Sequence, residues 1–139
     1  MSGSHGSYRR VLASDALPPP QPVRFTAGQP GEVTHRPTIC QVDVGGQQVL
    51  VTRLASGDVV AFTRFCPHMG APLDRASLVG DAVRCPGHEF VYDPRTGANV
   101  HPTDEASDAW LSVRQPGRLQ TYPVAEQSGW IWVADHPDA

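Results

Sequence analysis

Two mixed turns set the strongest constraint on how this chain can fold: Cys66-Pro67-His68 and Cys85-Pro86-Gly87-His88, with the sixteen residues Met69 to Arg84 between them. Each turn offers one soft thiolate and one imidazole. Such a pair is suited to grip one metal centre from opposite sides, which requires the fold to bring the turns together. Pro67, Pro72 and Pro86 stiffen them, while Gly70 and Gly87 let backbone approach the site and donate N–H groups to sulfur. Zinc fingers usually take two Cys from one knuckle and two His from the other, or mostly Cys. The mixed set suits two irons, one held by Cys66 and Cys85 and the other by His68 and His88. Mixed Cys/His zinc is the alternative, and the C-x-H then C-x-x-H spacing argues against it.

The remaining composition narrows the classes. Gly and Pro account for 27 of 139 residues and only 18% are charged, a balance that favours turns and short strands over long helices. All 11 basic residues are arginine, which excludes Schiff-base and P-loop lysine chemistry. A net charge of -3 speaks against a nucleic-acid partner. No run approaches the about 18 apolar residues of a transmembrane helix, so no membrane association is expected. Arg9-Arg10 is followed by Val11-Leu12-Ala13 and then Ser14-Asp15 and Pro18-Pro19-Pro20, with no apolar segment of an export signal. Three cysteines are an odd number for a disulfide framework, and a cytoplasmic location with thiolates free for metal is expected.

Residues 1–22 read as a mobile Ser/Gly/Pro-rich leader and 23–139 as one domain. Ile39 to Val44 and Gln48 to Thr52 flank Gly45-Gly46, a two-residue hairpin signal, and Ser56-Gly57-Asp58 turns into a third strand, Val59 to Thr63. Ala82 to Arg84 and Glu89 to Tyr92 read as short strands closed by the turn Asp93 to Gly97. Residues 101–118 read as a polar surface loop carrying Trp110. The chain closes with Leu119 to Val124, a turn at Ser128-Gly129, and Trp130-Ile131-Trp132-Val133. Alternation puts both tryptophans on one face, where they are expected to pack in or over the core. The architecture is all-β, with a loop-rich insertion at its middle.

These residues resemble the Rieske iron–sulfur proteins: Cys66-Pro67-His68-Met69-Gly70-Ala71-Pro72-Leu73, Cys85-Pro86-Gly87-His88, Tyr92-Asp93, Thr96-Gly97, and the tail Tyr122-Pro123-Val124 with Gly129-Trp130-Ile131-Trp132-Val133. The resemblance covers residues 23–135. It implies a Rieske-type 2Fe–2S cluster ligated by Cys66, His68, Cys85 and His88. It also implies a small rubredoxin-like cluster-binding subdomain (65–100) inserted into an antiparallel β barrel or sandwich base (23–64 and 101–135). Rieske subunits of cytochrome complexes carry a disulfide across the ligand loops, where this chain has Ala71 and Gly87, and a cluster-bonding Ser where it has Phe90. Tyr92 matches their Tyr near a cysteine sulfur. With one hydroxyl donor fewer, the resemblance implies a potential below theirs. Glu89, beside His88, would raise that imidazole's pKa if it faced the ring; the plainer reading puts it on a solvated strand face.

The tail resembles the Rieske domain of ring-hydroxylating oxygenases. His5, His35, His101 and His136 lack partners at ligand spacing and read as solvated, so no mononuclear iron site and no oxygen activation is expected on this chain. Cys40 reads as a small core residue. The leading expectation is a ferredoxin-like one-electron carrier from a flavin reductase to a terminal oxygenase or similar enzyme, docking through Met69, Pro72 and Pro86-Gly87. The acidic stretch Asp104 to Asp108 could steer a basic partner or be a solvated face. The alternative is a small Rieske subunit bound tightly to a larger oxygenase or nitrite-reductase-type enzyme, anchored by Trp110. A redox sensor has no effector feature in its favour.

Overall fold

Val49-Leu50-Val51 and Val59-Val60-Ala61-Phe62 are continuous apolar runs of strand length, the pattern of strands covered on both faces. In the computed structural model, which describes residues 8–23, 34–67, 70–86, 90–101 and 117–137, both runs are central strands. In chain order the described residues form β1 (Tyr8–Ala13), β2 (Gln21–Pro22), β3 (Thr34–Arg36), β4 (Ile39–Val44), β5 (Gln47–Arg53) and β6 (Val59–Thr63). The middle region supplies β7 (Ser77–Val79), β8 (Ala82–Arg84), β9 (Val91–Tyr92) and β10 (Asn99–His101). The chain closes with β11 (Thr121–Tyr122), β12 (Val124–Gln127) and β13 (Trp130–Ala134). Three sheets result, ordered β1-β13-β12, β11-β6-β5-β4 and β10-β9-β8-β7-β3-β2. The all-β expectation is met: among the described residues the helical structure is one 3-10 turn, Ser14–Ala16.

The β4–β5 hairpin shows why the strands lie where they do. Gly45 and Gly46 take φ of 58° and 82°, a left-handed pair that matches the strand twist, and the register runs unbroken from Ile39↔Thr52 to Val44↔Gln47. Alternation along β5 and β6 then divides their side chains between two cores. Val49, Val51 and Ala61 pack with Leu17, Ile131 and Val133. Leu50, Val60 and Phe62 pack on the opposite face with Cys66, Cys85 and Tyr92. The β11-β6-β5-β4 sheet is therefore the middle layer, with a base core on one side and a thiol-bearing core on the other.

Three expectations are corrected. Residues 1–22 were expected to form a mobile leader, yet Tyr8–Ala13 pairs antiparallel with β13, from Tyr8↔Ala134 to Ala13↔Trp130, with a bulge between Arg10 and Leu12. Leu17 is 1% exposed in the base core, Val11 and Leu12 pack against that core, and the Ser14 N–H donates to the Gly129 carbonyl (2.8 Å). The short apolar run Val11-Leu12-Ala13 suffices because β13 offers an edge to complete. Arg53 holds the same segment, donating to the carbonyls of Leu17 (2.7 Å) and Ser14 (3.2 Å) and pairing with Glu126 at 2.7 Å. Its guanidinium keeps the Glu126 carboxyl below the usual carboxylate range, chiefly through that hydrogen bond.

The second correction concerns the tryptophans. Alternation along β13 holds, but Ile131 and Val133 take the inner face at 0% exposure and Trp130 lies outside at 39%. The inner face is filled by aliphatic side chains, leaving the indoles to cover the outer surface of the sheet. There Arg10 stacks on Trp130, its guanidinium carbon 4.3 Å from the ring centroid. Cys40 packs, half-buried, against the base core. His35, expected to be solvated, is half-buried on β3 with a buried Nδ1 that finds no hydrogen-bond partner among the described residues.

Candidate metal centre

Cys66 and Cys85 each open a loop and are held by the same kind of backbone hydrogen bond. The first leaves β6: the Arg64 N–H donates to the Gln48 carbonyl (3.1 Å), Phe65 bridges Pro72, and the Leu73 N–H donates to the Arg64 carbonyl (2.7 Å). Within it, the Cys66 N–H donates to the Ala71 carbonyl (2.8 Å) and the Gly70 N–H to the Cys66 carbonyl (2.7 Å). The second loop leaves β8 and returns as β9, and the Cys85 N–H donates to the Phe90 carbonyl (2.7 Å). In each, the cysteine N–H is tied to the carbonyl five residues on, which fixes both cysteines where their loops close.

Side chains from the rest of the fold hold these loops to the base. Arg64 reaches from the end of β6 to Asp74 (2.9 Å) and Gln48 (2.8 Å). Arg95, in the turn after β9, donates to Asp58 (2.9 Å), Ser56 (3.1 Å) and Asp81 (3.4 Å). That turn has the Asp-initiated form its sequence implies: the Arg95 N–H donates to Asp93 Oδ1 (2.9 Å) and the Gly97 N–H to the Asp93 carbonyl (2.7 Å).

The two thiols are 1% exposed, unoxidised and hydrogen-bonded to one another. Burial first, and then the hydrogen bond and charge of Cys66, push the Cys85 thiol up to about 12. Without a metal, Cys85 therefore keeps its proton at neutral pH, and a thiophilic cation binding there must displace it. Tyr92 is fully buried, and its hydroxyl is hydrogen-bonded to Cys66. Burial raises the phenol above its ordinary value, and the charge of Cys66 adds to that, so Tyr92 stays protonated and donates to sulfur. Two adjacent buried sulfurs with a phenol donor beside them form a donor set that suits iron of an iron–sulfur cluster.

His68, Met69, Gly87, His88 and Glu89 lie outside the described residues, as do Trp110 and the acidic stretch Asp104 to Asp108. The structure thus brings Cys66 and Cys85 together and leaves the two histidine positions undescribed. Phe90 is 1% exposed in the thiol-bearing core, and Ala71 packs against that core with no thiol to bridge. Phe65, unnoticed in the sequence, is 43% exposed beside Cys66, with the Arg64 guanidinium carbon 5.6 Å from its ring centroid. An apolar residue breaking the polar surface pattern beside a ligand turn was the available signal. Nothing in the sequence paired Arg95 with Asp58, because the partners are 37 residues apart.

The Rieske [2Fe-2S] domain model matches residues 23–123. The chain belongs to the Rieske [2Fe–2S] domain family, and its cofactor is a Rieske-type 2Fe–2S cluster. Among its relatives, aminopyrrolnitrin oxygenase PrnD of Pseudomonas fluorescens is 29% identical over 134 residues, covering 95% of this chain and 34% of that protein. The fold is similar to the ferredoxin of carbazole 1,9a-dioxygenase from Nocardioides aromaticivorans IC177, at TM-score 0.65 and 24% identity over 94% of this chain and 100% of the ferredoxin. It is equally similar to dicamba monooxygenase with non-heme iron and dicamba, at TM-score 0.68 and 20% identity over 98% of this chain and 35% of that enzyme. The chain spans about a third of the length of PrnD. Among the described residues no helix is long and apolar enough to cross a membrane.

Proposed function

We propose that this chain is a Rieske-type electron carrier, taking one electron from a flavin reductase and delivering it to a terminal oxygenase or similar enzyme. The observation that carries this reading is the buried, mutually hydrogen-bonded thiol pair, with exposed apolar residues next to both cysteines in sequence. When bound, the 2Fe–2S cluster supplies a reversible one-electron couple. Cys66 and Cys85 would hold one iron, and His68 and His88 the other. Tyr92, protonated and buried, stabilises the more negative reduced state by donating to the Cys66 sulfur. Leu73, Phe90 and Leu119 exclude water from the sulfur side. Phe65, Pro67, Pro72 and Pro86, all exposed, form a rim on which a partner can seat transiently, as small interfaces suit. Thiols that must stay reduced until iron binds suit the cytoplasm.

The purified protein is tested by iron and acid-labile sulfide content and by EPR of the reduced form. A Rieske spectrum with two irons per chain, followed by second-order electron uptake from a flavin reductase and re-oxidation by an oxygenase, is the expected result. A colourless zinc protein would overturn the assignment.

A second reading is favoured by Trp130. An indole 39% exposed under Arg10 is the residue pair found at stable interfaces, and it lies on the outer sheet of the base. In this reading the chain is the Rieske part of a larger oxygenase assembly. Stoichiometric co-elution with an oxygenase subunit at nanomolar concentration, abolished by Trp130→Ala, would favour assembly over a carrier.

A further inference from the structure

Cys66 and Tyr92 meet although they hang from different sheets. Cys66 follows β6 in the four-stranded sheet, and Tyr92 ends β9 in the six-stranded one. A short segment, Gly117 to Gln120, is bonded to both. At its far end the Gln120 carbonyl accepts from the Thr63 N–H (2.9 Å) and Thr121 pairs with Phe62, fastening it to β6 just before Cys66. In the middle the Leu119 N–H donates to the Gly97 carbonyl (2.9 Å), and Arg118 Nη2 donates to the Thr96 carbonyl (2.6 Å). Gly97 closes the turn that continues β9, since the Asp93 N–H donates to the Ala98 carbonyl (2.9 Å) and the Gly97 N–H to the Asp93 carbonyl (2.7 Å). Tyr92 is the residue before that turn.

The contact at Gly97 leaves no room for a side chain. Its φ is +84°, and a Cβ built there would collide with the Leu119 carbonyl oxygen. At the near end Gly117, with φ +69°, lies against Pro67, where a Cβ would stand 3.2 Å from Pro67 Cβ. Both are backbone-on-backbone or backbone-on-ring approaches that an L side chain would force apart. The Leu119 side chain is 1% exposed and packs in the same core as Cys66, Cys85 and Tyr92.

We infer that Gly117–Gln120 is a strap that sets how closely Tyr92 approaches Cys66, with Gly97 its positioning residue. This rests on the reading that Cys66 is a cluster ligand. The strap is anchored on the strand that carries the sulfur and interlocks with the turn that carries the phenol, so its fit at Gly97 fixes their separation. A substituent at Gly97 lifts the turn off Leu119, draws Tyr92 back and weakens its hydrogen bond to sulfur.

The test is an EPR-monitored redox titration of the iron-loaded wild type, Gly97→Ala, Tyr92→Phe and the double variant. Gly97→Ala is expected to retain its iron and shift the midpoint potential downward, by no more than Tyr92→Phe does. In the Tyr92→Phe background Gly97→Ala is expected to add no shift. An unchanged potential in Gly97→Ala, or an equal further shift in the double variant, would overturn the strap while leaving the carrier reading intact. If Gly97→Ala does not take up iron, Leu119→Val, which keeps the backbone and trims the anchor, replaces it in the same cycle with the same two outcomes. Absence of a cluster from the wild type would overturn both readings.

Discussion

The two cores that share the β4–β5–β6–β11 sheet are made of different material. The base core is aliphatic but for Tyr122: Val44, Val49, Val51, Ile131 and Val133 are all at 0% exposure. Strands of five to seven residues with long registers surround it. The opposite core contains Phe62, Phe90, Tyr92 and both thiols, and the strands it adds are of two or three residues. Long ladders and branched aliphatics make the first a support that needs nothing beyond burial. Strands this short supply few ladder bonds, so the second depends on loop hydrogen bonds, on Arg64 and Arg95, and on its cofactor. The sulfurs are at once packing atoms and candidate ligands. The lesson is a division of labour: the rigid half carries the load, and the half that carries chemistry is held against it.

The comparison can be broken most forcefully at the sulfurs. Cys85→Ser is expected to abolish the EPR signal and most iron uptake while far-ultraviolet circular dichroism of the base strands persists. Global unfolding instead would show that the two halves are not separable. Removing iron from the wild type should act in the same direction more gently. Amide exchange is expected to accelerate in β7 to β9 and stay slow in β4 to β6, because the metal's binding energy supports the half that binds it.

The converse probe lies in the base. Ile131→Ala is expected to cost about 2–5 kcal/mol in urea unfolding, as a buried large-to-small change does, with the midpoint potential unmoved. A shifted potential would mean that strain passes through the middle sheet. A subtler probe is Tyr92→Phe, which removes one hydroxyl without emptying the core. It should lower the potential measurably and change stability by about 1 kcal/mol or less.

The smallest effect is expected at the surface of the base. Glu126 is held below the usual carboxylate range by Arg53, so the ion pair contributes stability above that range and loses it as pH falls through the depressed value. Because Glu126 is exposed, the loss should be slight. Glu126→Gln should flatten the acid limb of a thermal-unfolding series from the ordinary carboxylate range downward, and leave it unchanged nearer neutral pH.

Much of the middle layer was legible from residue order. Gly45-Gly46 demanded a hairpin, Ser56-Gly57-Asp58 preceded β6, and Asp93 to Gly97 formed the turn its composition implies, because each rests on local backbone preference. Tyr92 was legible as a sulfur neighbour through its family resemblance. What escaped were choices that local chemistry leaves open. Val11-Leu12-Ala13 looked too short to matter beside a triple proline, and only the free edge of β13 gave it a partner. Phe65 and Arg64 were passed over, since exposure is a property of neighbours. Gly97 was read as a turn residue, and its close approach to Leu119 arises between segments more than 20 residues apart.

By itself the sequence determined the spacing and chemistry of the two turns, the all-β pattern and the family to which both point, since ligand type and hydrophobic period are written residue by residue. Only the tertiary structure decided which face of β13 is buried, what covers the thiols and which backbone holds Tyr92 to Cys66. Those outcomes follow from volume and close packing, and such quantities exist only once distant segments share one interior.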